Sequence, residues 1–106
     1  MTREVVWSRD ALDDLKVQVA YIATDNPDAA QRVAQGIREA AAALGKIPTG
    51  RPGRVVGTYE KSVARLPYVI AYAISVKADS EAVVIVRVIH TARNRRSGQW
   101  PEASEE

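Results

Sequence analysis

Apolar residues recur at two periods along this chain, and the change from one to the other divides it. Glu4-Val5-Val6-Trp7 is a short β-favouring run. Beyond it, Leu12, Leu15, Val19 and Ile22 fall at gaps of three and four, one stripe of an α-helix. Ser8 is placed to cap that helix and Asp10 to complement its dipole, while Asp13 and Asp14 lie off the stripe on a solvated face. Asn26-Pro27 stops the helix near residues 24–25 and starts the next one. The second helix runs from about Pro27 to Leu44, with Ala30, Val33, Ile37, Ala40, Ala41 and Leu44 as its stripe. Gly36, in mid-helix, implies close approach of another helix. Gly45 is placed as a C-cap, with Pro48 beyond it. Two helices joined by so short a break form a helical hairpin.

After a Gly- and Pro-rich loop over residues 45–57, the period falls to two. From about Thr58 to Leu66, Tyr59, Lys61, Val63 and Arg65 share one face of a strand, and Glu60, Ser62, Ala64 and Leu66 the other. Tyr68 to Lys77 is apolar on both faces, as a central strand requires. Ala78-Asp79-Ser80-Glu81 turns the chain, and Ala82 to His90 is a second strong strand. Strict alternation there puts Val84, Val86, Val88 and His90 on one face, and Val83, Ile85, Arg87 and Ile89 on the other.

The order β-α-α-β-β-β segregates helices from strands. It predicts an α+β fold in which an N-terminal strand and a helical hairpin pack on a small, mainly antiparallel sheet. Residues 1–100 of the 106 suit one domain, and Pro101 to Glu106 a flexible acidic tail.

Composition narrows the chemistry. The absence of cysteine excludes disulfides, thiolate metal sites and a cysteine nucleophile. One histidine and scattered carboxylates provide no metal-ligand spacing, so neither a metal nor another cofactor is expected. The loop from Gly50 to Gly57 could cradle phosphate with its backbone N–H groups and arginines, but it lacks the Gly-Lys-Ser/Thr ending of a P-loop and opens no helix, so it is read as a connector with solvated arginines. No apolar run is long enough for a membrane span and no signal pattern opens the chain, so a cytoplasmic protein is expected.

Charge is more informative. Residues 1–45 carry five bases against seven acids, residues 46–96 ten against three, and residues 97–106 three acids alone. The net +7 of the middle segment attracts an acidic partner: nucleic acid, an acidic protein, or a complex containing both. Its candidate contacts are Arg51, Arg54, Arg65, Arg87, Arg93, Arg95 and Arg96. His90, the one histidine, is read first as a packing or capping residue at a strand end, with a general acid or base as the alternative.

These pieces form an ordered set. Trp7, Ala11, Leu15, Tyr21-Ile22-Ala23, Asn26-Pro27, Arg51-Pro52-Gly53-Arg54, Gly57-Thr58 with Glu60, Pro67-Tyr68 with Ile70 and Tyr72, and Val88-Ile89-His90 with Ala92-Arg93 follow one another along nearly the whole chain. That set resembles the RelE/ParE superfamily of toxins from type II toxin–antitoxin pairs, whose fold is two helices against a twisted antiparallel sheet. RelE-like members are ribosome-dependent mRNA endoribonucleases; ParE-like members poison DNA gyrase and block replication. The His-x-Ala-Arg ending and the Asn-Pro hairpin are closer to the ParE side. No tyrosine follows Tyr72, and Thr91 follows His90, both departures from the ribonuclease patterns. The resemblance therefore implies a gyrase-binding toxin without chemistry of its own, with the arginines and Trp100 as target contacts. The alternative it leaves is a metal-independent endoribonuclease acting on mRNA at the ribosome through His90, Arg65 and Arg54. In either case it implies a hetero-oligomer with a cognate antitoxin, which alone would contact operator DNA.

Overall fold

The computed structural model describes residues 3–92. Strand β1 (Glu4–Trp7) leads into helix α1 (Arg9–Ala23) and helix α2 (Pro27–Lys46). Strands β2 (Arg51–Pro52), β3 (Tyr59–Ser62), β4 (Tyr68–Lys77) and β5 (Ser80–His90) follow. They form one five-stranded sheet in the order β1-β5-β4-β3-β2. Only β1 and β5 are parallel; the other pairs are antiparallel.

The helix starts follow the capping logic. The Ala11 N–H donates to Ser8 Oγ at 3.0 Å, and the Ala29 N–H donates to Asn26 Oδ1 at 3.0 Å. Both helices pack on one sheet face around Leu15, Ile37, Leu44, Ile70, Tyr72, Val83 and Ile85. Tyr72 is buried there, and its hydroxyl donates to the Thr49 carbonyl at 2.6 Å.

Several local expectations change. Helix α1 is rotated about one position from the predicted stripe: Ala11, Leu15 and Gln18 are buried, whereas Leu12 is 41% exposed. That rotation turns Asp14 toward β5 instead of toward water. Strand β3 stops at Ser62 because the chain bends: the Val63 N–H donates to the Tyr68 carbonyl, and Arg65 takes φ 66°. The short β2 adds a strand inside the expected loop. Gly36 is tight against the Leu66 side chain, not against the other helix.

Strand β5 departs from alternation at a β-bulge. Tyr72 pairs with Ile85 but the preceding Ala71 pairs with Arg87, so β5 gains one residue, Val86, in the ladder. Face assignments switch there. Val83, Ile85 and Val88 all face the helices, while Ile89 and Val86 pack with Ala71 in a second cluster.

Gly45 is no C-cap. The helix continues through it to Lys46, and Ile47 ends it. Gly45 is buried because β1 crosses here: the Arg3 N–H donates to the Gly45 carbonyl at 2.7 Å, and a Cβ on Gly45 would lie 2.7 Å from the Arg3 carbonyl oxygen. Gly45→Ala should therefore destabilise the protein by about 1 kcal/mol or more through overpacking. That is opposite in sign to the gain of about 1 kcal/mol that alanine brings to an unconstrained helix. Urea denaturation of the two proteins distinguishes these outcomes.

Candidate target-binding face

The basic residues singled out in the sequence occupy three different settings. Arg51 and Arg54 converge on Glu60 of β3. The Arg54 backbone N–H and Nε donate to Glu60 Oε2 at 3.1 and 2.9 Å, and Arg51 Nη2 donates to Oε1 at 3.3 Å. The Glu60 side chain is 2% exposed and that of Arg51 64%. One buried carboxylate thus holds an arginine whose head still meets solvent. Burial pushes the Glu60 carboxyl up, but the hydrogen bonds and charge of Arg54, then the charge of Arg51, outweigh it and leave the group below its ordinary value.

Arg87 lies elsewhere. It is 8% exposed, and its Nε and Nη2 donate to Asp14 Oδ2 and Oδ1 at 2.8 and 2.7 Å. The same Oδ2 accepts the Val88 N–H at 2.9 Å. Arg87 therefore ties α1 to β5 and is not presented on the surface as a target contact would be. Its position follows from the bulge, which sequence alternation does not reveal.

His90 and Arg65 lie at the far end of the sheet. Tyr68 pairs with His90, and their rings meet edge-on at 5.1 Å. His90 Nδ1 accepts the Ala92 N–H at 3.1 Å. Arg65 is exposed in the turn joining β3 to β4, near which the Thr91 N–H donates to the Pro67 carbonyl at 2.9 Å. Tyr68 belongs to the helix-packed core, whereas Ala71, the cross-strand neighbour of both Glu60 and Arg87, belongs to the cluster on the other face. His90 and the Glu60–Arg54 pair are thus on opposite sides of the sheet. Arg93, Arg95, Arg96, Trp100 and the tail from Pro101 to Glu106 lie outside the described residues.

Sequence reasoning gave no structural role to Glu60 or Asp14. A signal existed for Glu60, the only acid between residues 46 and 78 of a strongly basic stretch.

A family model for the ParE toxin of type II toxin–antitoxin systems, parDE, matches residues 5–95. The chain belongs to the ParE toxin family. This toxin is 40% identical over 101 residues to Sinorhizobium fredii Y4kP, covering 94% of this chain and 95% of that protein. It is also 40% identical over 90 residues to Toxin RelE2 of Caulobacter vibrioides, covering 85% and 97%. Its fold matches a chain of the chromosomal ParDE TA system from P. aeruginosa with a TM-score of 0.73 at 24% identity, covering 84% of this chain and 96% of that one. The YoeB/ParE toxin from Agrobacterium tumefaciens matches with a TM-score of 0.57 at 15% identity, over 82% and 96%. Membership implies a cognate antitoxin partner. Among the described residues, no helix is long and apolar enough to cross a membrane.

Two predictions follow from the ion pairs. Asp14→Ala leaves the Arg87 charge and the Val88 N–H without their acceptor, and should cost about 3 kcal/mol. The Asp14→Ala/Arg87→Ala double variant should lose less than the sum of the single losses, measured by urea denaturation. For Glu60 the folded-state carboxyl titrates below the ordinary value of 4.5. Its stabilising contribution is therefore present above that value and lost as pH falls through the depressed one. Glu60→Gln should make unfolding less steeply dependent on pH in that acid range.

Proposed function

We propose that this toxin arrests growth by binding DNA gyrase, performs no reaction of its own, and is neutralised when its antitoxin covers the basic surface. Arg51 and Arg65 supply target contacts from the described residues, joined by Arg93, Arg95, Arg96 and Trp100. Arg54 contributes by orienting the loop beside Arg51. Arg87 is left out, because its guanidinium is committed to Asp14.

The observation that supports binding over chemistry is the division of the candidates between two faces. A nuclease needs an acid or base and its phosphate-holding arginines around one scissile bond. His90 lies on the helix-packed side with Tyr68, with Arg65 in the turn at the same end of the sheet, but Arg54 is bonded to Glu60 on the other side. A binding protein has no such requirement, since its contacts can spread over a broad surface. The family match, which belongs to the ParE branch, points the same way. An antitoxin segment with acidic side chains would meet exposed arginines favourably and occlude them from the target; operator DNA would be contacted through the antitoxin.

Purified toxin, freed of antitoxin, should inhibit gyrase supercoiling and trap cleaved DNA. His90→Ala should retain that inhibition, and a variant with alanine at Arg93, Arg95 and Arg96 should lose it while remaining folded. Unimpeded supercoiling, together with mRNA cleavage that His90→Ala abolishes, would overturn the proposal in favour of the ribosome-dependent nuclease.

A further inference from the structure

Between β2 and β3 the chain holds two β-branched apolar residues out in water. Val56 is 100% exposed and Val55 41%. A floppy loop with that exposure would carry little meaning, but this one is tied at its base. The Gly53 N–H donates to the Thr58 carbonyl at 2.8 Å, and the Thr58 N–H and hydroxyl donate to the Val55 carbonyl at 3.1 and 2.6 Å. Arg54 is bonded to the buried Glu60 through both backbone and side chain. Gly57 takes φ +90°, so the turn past the tip is one that side-chain-bearing residues rarely adopt. The result is a fixed projection, with Val56 at its tip and the exposed Arg51 guanidinium anchored to the same carboxylate as its base.

We propose that Val55 and Val56 form an apolar knob through which the toxin grips its target protein. The partner surface it fits is an apolar recess with an acidic rim. Three features support that occupant. First, valine has a single side-chain torsion and the loop is already ordered, so little freedom remains to be lost on binding. Second, Arg51 and Arg54 at the base of the knob share the one carboxylate of Glu60, a local excess of one positive charge, which complements acidic side chains. Third, the knob is convex. It suits a recess in a folded protein rather than an extended segment wrapped along the toxin, and valine offers a nucleic-acid base no ring to stack on. This inference rests on the reading that the toxin acts by binding a protein, but not on that protein being gyrase.

The test expresses the full chain without antitoxin in bacteria and titrates the induction needed for growth arrest. Val56→Asp places a charge at the knob, and Val56→Ser removes the apolar group without adding one. Both should fold with an unchanged thermal midpoint, since Val56 is fully exposed. Both should require about tenfold more toxin for arrest, the scale on which truncating an interface hot spot weakens binding. Val76→Asp, which alters a 64% exposed valine near the β4–β5 turn, should arrest growth like the wild type. Undiminished arrest by both Val56 variants would overturn the knob, as would an equal loss in Val76→Asp. Retained arrest by the Val56 variants, with loss of antitoxin co-purification when toxin and antitoxin are co-expressed, would reassign the knob to the antitoxin and overturn the proposal. Supercoiling assays of the same proteins separate the two ideas: loss of arrest in the Val56 variants, when wild-type toxin leaves gyrase untouched, keeps the knob and removes gyrase. Harmless expression of the wild type would overturn both.

Discussion

The Asp14 carboxylate holds helix α1 against the part of strand β5 that β1 leaves uncovered. Strand β5 is covered by β1 only as far as the pairing of Trp7 with Ile85. There the chain turns into α1, and the remaining edge of β5 would present unpaired backbone groups. The first turns of α1 complete that edge. Ser8 Oγ donates to the Val86 carbonyl at 3.1 Å, and Asp14 accepts the Val88 N–H together with two N–H groups of Arg87. An apolar pair in the same place could bury as much surface, but it could not satisfy the Val88 N–H. The interaction therefore sets where α1 lies as well as holding it there.

A second carboxylate does comparable work at the other edge. Arg51, Glu60, Ala71 and Arg87 are successive cross-strand neighbours from β2 to β5. Glu60 neutralises part of the basic charge, and Asp14 neutralises Arg87. The electrostatic field of the sheet is thus weaker than a count of arginines implies. In exchange the Arg51 and Arg54 guanidiniums are oriented, and the loop between β2 and β3 has a rigid base.

This arrangement bears on how one fold supports unlike activities. A helical hairpin on a small sheet leaves function to side chains at its margins. Here His90 packs on Tyr68 on the helix side, while the arginine–glutamate cluster lies on the opposite side. Bringing them to one phosphate would require a different placement of side chains, not merely a different rotamer.

Much of the architecture was legible in the residues. The 3.6-residue stripes, Ser8, Asn26-Pro27 and the apolar run of β4 specify two capped helices and a central strand, because caps and periodicity act over a few neighbouring residues. The ordered motifs indicated the family, which the match over residues 5–95 bears out. Long-range decisions were not legible. The bulge that places Arg87 depends on two strands advancing unequally, and the burial of Asp14 depends on where α1 crosses β5. Gly45 has the local signature of a helix end, yet a backbone arriving from Arg3 makes it a packing site. Likewise the arginines are visible in the sequence as a count, but only the tertiary structure pairs Arg51, Arg54 and Arg87, because their carboxylate partners are chosen by strand pairing and helix docking.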